Sequence, residues 1–330
     1  MPHGRETTAA APGIQDAARR PLVAIVGPTG SGKSDLALAL AAAFDGEIVN
    51  CDSLQVYRYF DIGTAKLPEA ARRGIPHHLI DILDPGEVFT AGDYARWARE
   101  TIGAISARGR IPIVAGGTGF YLRALLEGLF AGPSRDQVLR DRLSAREARR
   151  RGSLHRLLTR FDPAAAARIH PHDEPKVTRA LEVRLLARRP ASEMFQTGRD
   201  ALLGYRTLKL GLLPERGALY ERLDERCRRM FEAGLAAEVR RILALGFPAS
   251  CKPFESHGYK QALESIRGEV SLPEALLDAQ RNTRNYAKRQ ITWFRRETGI
   301  VWLPGFGDSE EIRRSAIGRV AAFLAPDQAG

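Results

Sequence analysis

Residues Gly27-Pro28-Thr29-Gly30-Ser31-Gly32-Lys33-Ser34 match the phosphate-loop pattern G-x-x-x-x-G-K-[ST]. Glycines at these positions let backbone N–H groups turn toward an anion with no Cβ in the way. A helix starting here adds its positive dipole end, Lys33 adds a point charge, and the Ser34 hydroxyl can reach a Mg2+ ion. The pattern predicts a bound di- or triphosphate without saying which compound carries it. Asp52 follows a predicted second strand, at the edge where open α/β sheets place ligands. A carboxylate there holds Mg2+, acts as a general base, or caps the next helix, and residue type leaves these open. Gly116-Gly117-Thr118-Gly119 follows another predicted strand. It is either a tight turn or a second backbone surface against the ligand, with Thr118 as hydroxyl donor. A nucleotide hydrolase of this kind would end a strand in a Mg2+-linked Asp. Residues 111–115 run into Ala-Gly-Gly instead, so that role is unfilled.

Two further pairs carry chemistry. Arg222 and Arg226 are one turn apart and share a helix face. They pair with Glu221, Asp224 or Glu225, or they meet a diphosphate or an RNA phosphate. His77-His78 are adjacent on an extended stretch, so their side chains point to opposite sides. With no Cys or further His nearby, structural hydrogen bonding is favoured over metal ligation.

Strands and helices must hold these groups. Short apolar runs predict strands at 21–26, 47–50, 111–115, 206–212 and 300–303. Helical patterning follows the glycine loop to about 44, runs from 91 to about 108 behind a Thr90 cap, and continues over 120–129. Later helices are expected over 219–245, 257–266, 273–296 and 309–324. Alternation of strand and helix predicts an α/β fold: a phosphate-loop NTPase-like parallel-sheet core. Residues 134–200 are rich in Arg and Ala with few β-branched residues, and read as all-helical. The expected organisation is a disordered tail at 1–20, a first core segment at 21–130, a basic helical insertion at 131–204, and a second core segment with a helical C-terminal region at 205–330.

The chain has 330 residues, 44% hydrophobic and 27% charged, enough for a sizeable core. No stretch approaches the ~18 apolar residues of a membrane span, and 1–20 lack the apolar segment of a secretion signal. Three scattered cysteines fit a reducing cytoplasm and provide no zinc pattern. Lys and Arg total 50 against 39 Asp and Glu, a net charge of +11 that favours a polyanionic partner. The excess is local: residues 134–199 carry 16 basic and 8 acidic side chains, and 281–296 carry six basic and none acidic. The second run is interleaved with Tyr286, Trp293 and Phe294, a pattern that favours nucleic acid over a plain solvated face.

With these residues in view the sequence resembles the tRNA dimethylallyltransferases, also called tRNA isopentenyltransferases. The resemblance is carried by GPTGSGKS (27–34), CDSLQVYRYFDIGTAK (51–66), IPHHLIDILDP (76–85) and VAGGTGFYLRALLEGL (114–129). It continues through DPAAAARIHPHD (162–173), RALEV (179–183), GYKQ (258–261) and TRNYAKRQITWFR (283–295). It implies transfer of a dimethylallyl group from dimethylallyl diphosphate to the exocyclic amine of the adenosine 3′ to the anticodon, in tRNAs reading codons that begin with U. Residues Gly27 to Ser34 with Arg222 would hold the diphosphate, with Mg2+ at Ser34. Asp52 matches the family's general base, Thr118 its site threonine, and Arg226 an arginine near the diphosphate. Implied tRNA contacts are Asp52, Ser53, Leu54, Gln55, Lys176, Arg179, Gly258, Tyr259, Lys260, Arg284, Lys288 and Arg289. The basic insertion would grip the anticodon stem-loop, and the enzyme is expected to be a cytoplasmic monomer.

Some positions depart from the family pattern. Gly30 stands where Ala is usual and Ser34 where Thr is usual; Pro175-Lys176 replace Gln-Arg, and Ser256-His257 replace Ala-Ile. Two alternatives remain. An adenylate isopentenyltransferase shares the loop but needs no basic insertion. An ATP-dependent RNA-binding switch would need the missing hydrolase-type strand end.

Overall fold

A computed structural model of the chain describes residues 19–195 and 198–325. The tail expected at 1–20 lies, apart from Arg19 and Arg20, outside the described residues. Among these residues, one compact unit comprises the chain up to Leu125 and from Leu203 onward, and the second is Leu126–Leu202.

The first unit is built on six parallel strands: β1 (Arg20–Val26), β2 (Gly46–Asn50), β3 (His77–His78), β4 (Ile111–Ala115), β5 (Tyr205–Leu212) and β6 (Ile300–Leu303). Their order is β3-β2-β4-β1-β5-β6. The central position of β1 explains its unbroken apolar run. Leu22, Val23, Ala24 and Ile25 have no exposed surface, as expected of a parallel strand covered on both faces. The early helices are α1 (Lys33–Ala43), α2 (Ala91–Ala107) and α3 (Gly119–Leu126). In the second unit lie α4 (Gln137–Arg149), α5 (Ser153–Phe161), α6 (Pro163–Arg168), α7 (Glu174–Ala187) and α8 (Ala191–Met194). The first unit then resumes with α9 (Arg216–Glu232), α10 (Leu235–Ala244), α11 (Tyr259–Ile266), α12 (Leu272–Phe294) and α13 (Glu310–Leu324).

Leu36 and Leu40 of α1 and Ile312 and Val320 of α13 share one core with Val23, Ile25, Ile113 and Leu210. The expected Thr90 cap forms: its Oγ1 accepts from Asp93 N (3.2 Å), and Asp93 Oδ2 accepts from Thr90 N (3.1 Å).

Two local expectations are corrected, and the reading of the histidines holds. The helix expected over 219–245 is two helices, because Gly234 at φ 95° takes a conformation no helix interior holds. The helix expected over 120–129 stops at Leu126. The two histidines form β3, a short strand paired with Ile48 and Val49 of β2. They make hydrogen bonds as expected: His78 Nε2 lies 2.6 Å from buried Glu47 Oε2, and His77 Nδ1 lies 2.8 Å from Ile75 O.

The second unit is helical as expected, but spans 126–202 where the sequence suggested 131–204. Leu143, Leu154, Leu158, Val177 and Leu181 form its core. Glu182 sits among them with no exposed surface. It accepts from Arg140 Nε and Nη2 (both 2.8 Å), Arg179 Nη1 (2.6 Å) and Asp136 N (2.8 Å). Burial pushes the Glu182 carboxyl up, yet the Arg140 and Arg179 hydrogen bonds outweigh it and bring its pKa to about 2. Arg179 also donates to Pro133 O (3.0 Å). Expected as an RNA contact, it remains partly exposed while its guanidinium is held by Glu182 and Pro133 O. Lys176 stays exposed, paired with Asp173.

Because the folded pKa is depressed, Glu182 contributes its full stability above the ordinary value of 4.5 and loses it as pH falls toward about 2. Glu182→Gln is expected to destabilise this unit by about 3 kcal/mol at neutral pH, since two guanidinium groups lose their carboxylate. It should also flatten the acid limb of a denaturant-midpoint series between those pH values. An unchanged midpoint would refute the role.

Candidate active site

A cavity of about 650 Å³ lies at the carboxyl ends of the strands, wholly within the first unit. The glycine loop after β1 gives it Thr29, Gly30, Gly32, Lys33 and Ser34. Gly30 and Gly32 have φ of 77° and 83°, the left-handed region where other residues are strained. That turn aims the loop backbone at the cavity and starts α1 directly behind it. Asp52, Leu54 and Gln55 enter after β2, Arg222 and Arg226 from α9, and Tyr286 from α12. Ile62, Leu67, Met230, Phe231 and Leu235 supply an apolar wall.

Three charged groups face one another in this space. Lys33 Nζ folds onto its own loop, donating to Gly27 O (3.0 Å) and Pro28 O (2.7 Å). Burial lowers its pKa to about 8, with Asp52 pulling it up and Arg226 pressing it down. Burial likewise lowers Arg226, while Asp52 favours its charge. Arg226 makes no side-chain hydrogen bond or ion pair with a described residue, so its fork is free to take an anion. The Ser34 hydroxyl, on the exposed rim, has no described partner either.

Asp52 is held by its own turn. Its Oδ1 accepts from Leu54 N (2.8 Å), and its N–H donates to Asn50 Oδ1 (3.0 Å). No described residue donates to its Oδ2. Thr118 does not line the cavity. Its Oγ1 accepts from Ser53 N (3.0 Å) and its N–H donates to Cys51 O (3.1 Å), so it fixes the segment that carries Asp52. Gly116 makes that approach possible, because a Cβ there would collide with the Cys51 carbonyl.

The residue that patterning missed is Gln290. Only 5% exposed on α12, it accepts from Thr29 N (2.8 Å) and donates through Nε2 to Gly117 O (2.9 Å). One amide thus ties the glycine loop to the Gly116-Gly117 turn. Two sequence features mark its position, the basic, aromatic run and the family segment at 283–295, and neither points to an amide bridge.

Other expected residues fall on both sides of the line. Gly27, Pro28 and Ser31 shape the loop without lining the cavity; Ser31 Oγ donates to Pro28 O (2.8 Å). Arg222 reaches the cavity but pairs with neither Glu221, Asp224 nor Glu225. It makes a two-pronged ion pair with Asp308 (2.9 Å each) and stacks on Phe306. Tyr259, expected to contact RNA, has no exposed surface. Its hydroxyl donates to Glu238 and accepts from Gly63 N (3.0 Å), so it supports the 61–64 loop. Gly258 lines the cavity beside His257, whose pKa burial and Arg289 lower. Lys260 lies outside it, 3.7 Å from Glu264. Arg284 pairs with Asp224, while Lys288 and Arg289 are exposed, with Arg289 over the Tyr286 ring. Among the described residues no cluster of three His, Cys, Asp or Glu could hold a metal alone.

Comparison with known proteins decides the family. The profile of the IPP transferase family matches residues 55–297. A tRNA dimethylallyltransferase of Solibacter usitatus is 73% identical over 304 residues, covering 92% of this chain and 99% of that protein. The chain belongs to the tRNA dimethylallyltransferase family. Its fold agrees with that of a tRNA isopentenylpyrophosphate transferase from Bacillus halodurans (TM-score 0.67, 37% identity, 92% of this chain and 95% of the other). It also agrees with a eukaryotic dimethylallyltransferase acting on tRNA (TM-score 0.78, 29% identity, 94% and 81%).

In this member of the tRNA dimethylallyltransferase family, Gln290→Glu preserves shape and the acceptor for Thr29 N. It removes the donor to Gly117 O and sets a carboxylate against a carbonyl. Affinity for inorganic diphosphate, measured by calorimetry, should fall about tenfold or more, and should recover as pH falls and the carboxyl regains a proton. A loss that is constant with pH would mean the amide bridge is not what matters.

Proposed function

We propose that this protein transfers a dimethylallyl group from dimethylallyl diphosphate to the exocyclic amine of the adenosine 3′ to the anticodon, in tRNAs reading codons that begin with U, and releases diphosphate. One observation carries the proposal: a single cavity joins an anion-binding loop, a carboxylate without a full set of donors, and an apolar wall. The wall suits a short isoprenoid and the loop its diphosphate. The apolar wall has no counterpart in what NTP hydrolysis alone requires.

The target amine sits in a stacked loop, so the base must first be turned out, a cost of about a few kcal/mol and least in single-stranded loops. The amine nitrogen then bonds to the allylic carbon as that carbon's bond to the diphosphate oxygen breaks. Asp52 takes the proton lost by the amine. Lys33, Arg226 and the loop N–H groups meet the charge that grows on the leaving oxygen. Mg2+ suits the unpartnered Ser34 hydroxyl, because this ion keeps mostly water and phosphate ligands; there it would neutralise diphosphate charge. The enzyme acts as a monomer in the cytoplasm, a compartment consistent with free, buried Cys51, Cys227 and Cys251. Among the described residues no helix is long and apolar enough to cross a membrane.

Labelled dimethylallyl diphosphate offered with unmodified tRNA, AMP and ATP tests the reading. Label should enter only tRNAs with adenosine next to the anticodon; label in free nucleotide would favour the adenylate-prenylating alternative, and no label would overturn the proposal. Asp52→Ala should keep tRNA binding and lower turnover by roughly two to four decades. Near-normal turnover would remove it as the base. Since Lys33 titrates near 8 and only its charged form attracts diphosphate, kcat/KM for the prenyl substrate should fall as pH rises through about 8. That limb should be missing in Lys33→Ala, and its survival there would assign it to another group.

A further inference from the structure

Glu238 is a buried carboxylate that the transfer chemistry does not use. It stands on the inner face of α10 with Leu235, Val239 and Ile242, and is 4% exposed. Taking an ion out of water is costly unless its lone pairs are matched. Here the backbone of one distant segment matches most of them. Oε2 accepts from Ile62 N (3.0 Å) and Asp61 N (3.3 Å), and Oε1 accepts from Ile62 N (3.2 Å) and the Tyr259 hydroxyl. Arg241 is exposed, with its Nη2 3.8 Å away, and such a pair contributes little.

The segment that Glu238 grips is strained. Tyr59 (φ 71°) and Ala65 (φ 48°) lie in the left-handed region without being glycine, and they bracket residues 60–64. Strain of this kind persists only where the surroundings over-determine the backbone. The surroundings do so here. Gly63 N donates to the Tyr259 hydroxyl (3.0 Å), and a Cβ on Gly63 would strike the Tyr259 ring. Phe60 packs edge-on against Phe254 and Tyr259, with ring centres 5.0 and 4.8 Å apart. Lys66 Nζ closes the far end, donating to Tyr57 O (2.9 Å), Asp61 Oδ1 (2.7 Å) and Asp81 Oδ1 (2.6 Å).

What the segment shows the cavity is mainly hydrocarbon. Ile62 and Leu67 belong to the apolar wall, and Glu238 itself does not line it. The N–H that both carboxylate oxygens share belongs to the residue whose side chain forms the wall. The phosphate loop is held separately, by Gln290 and by the Ser31 bond to Pro28 O. Packing alone does not require an ion here, because apolar side chains of similar volume often replace buried charges without loss of stability. A carboxylate adds two acceptors in one plane, aimed at successive amides, and so fixes the direction in which residue 62 points.

We propose that Glu238 is a positioning residue for the isoprenoid. By gripping the Asp61 and Ile62 amides, it sets the Ile62 side chain against the prenyl group of the donor substrate. It thereby governs recognition of the hydrocarbon and leaves recognition of the diphosphate to the glycine loop. This inference rests on the assignment of the apolar wall to the isoprenoid in the proposed function.

The test compares two constants of the full chain at saturating tRNA: KM for dimethylallyl diphosphate, and the inhibition constant of inorganic diphosphate against it. Glu238→Gln keeps the size of the side chain and puts an NH2 group where one acceptor was. KM should rise about tenfold while kcat and the inhibition constant stay within about twofold, the pattern of binding lost at the hydrocarbon alone. Tyr259→Phe removes one donor and keeps the ring, so KM should rise about threefold with the same split. It decides the matter should Glu238→Gln lose all turnover. Both constants rising together would mean a merely structural role and overturn the proposal. An unchanged KM, or loss of turnover in Tyr259→Phe, would overturn it too. Absence of transfer by the unsubstituted enzyme would instead overturn the proposed function.

Discussion

The architecture of the site depends on how two strand ends are kept together. β1 and β4 are neighbours, and each runs into a glycine turn whose backbone groups have left the sheet ladder. A parallel sheet supplies no further partner there, and unpaired buried amides are costly. Gln290 meets both needs at once, because a carboxamide donates and accepts from one rigid plane. Gly117 leaves room for it: a Cβ would collide with Nε2. Thr118 makes the matching connection one strand over, from the β4 turn to Ser53 after β2. Loop, carboxylate segment and glycine turn are thereby one backbone assembly, and side chains of the candidate site stand on it.

That assembly then carries a deliberate charge imbalance. Lys33 and Arg226 are both opposed by burial, and Asp52 is the one nearby acid that favours them. Two cations against one carboxylate leave an excess positive charge in a partly dry space, where Coulomb interactions are stronger than in water. The cost falls on the empty protein. An anionic ligand relieves it, and a leaving diphosphate relieves it most when its charge is greatest, which favours bond breaking over mere binding.

Sequence patterning captured what local physics controls. Strand runs, the Thr90 cap and the glycine loop are short-range signals, and the strands and the cap lie where they were read. Asp52, Lys33, Ser34 and Arg226 do come together at one cavity. What patterning could not supply were partners distant in the chain. The family resemblance implies an RNA contact at Tyr259, and packing against Phe60 and Glu238 places it in the core. The resemblance implies an RNA contact at Arg179, and its ion pair with buried Glu182 is a partner that no local pattern shows. Arg222 finds Asp308, 86 residues on, ahead of the acids on its own helix. The break at Gly234 was legible in principle, but the Leu and Ala periodicity on both sides outweighed one glycine.

The two arginines of α9 therefore differ in what they can give a ligand. Arg222 is already satisfied by the Asp308 carboxylate and stacked on Phe306, so a diphosphate gains from it only the difference between two similar charge-assisted pairs. Arg226 has no such partner and is held in a poorly solvated position, so its whole pairing energy is available to the anion. The loop that bears Asp308 rests on the phosphate loop, with Gly307 N donating to Ser31 O (2.8 Å). Arg222 thus serves the site first by fastening that loop to α9. Of two guanidinium groups one turn apart, the paired one braces the anion loop and the one without a described partner is left open to an anion.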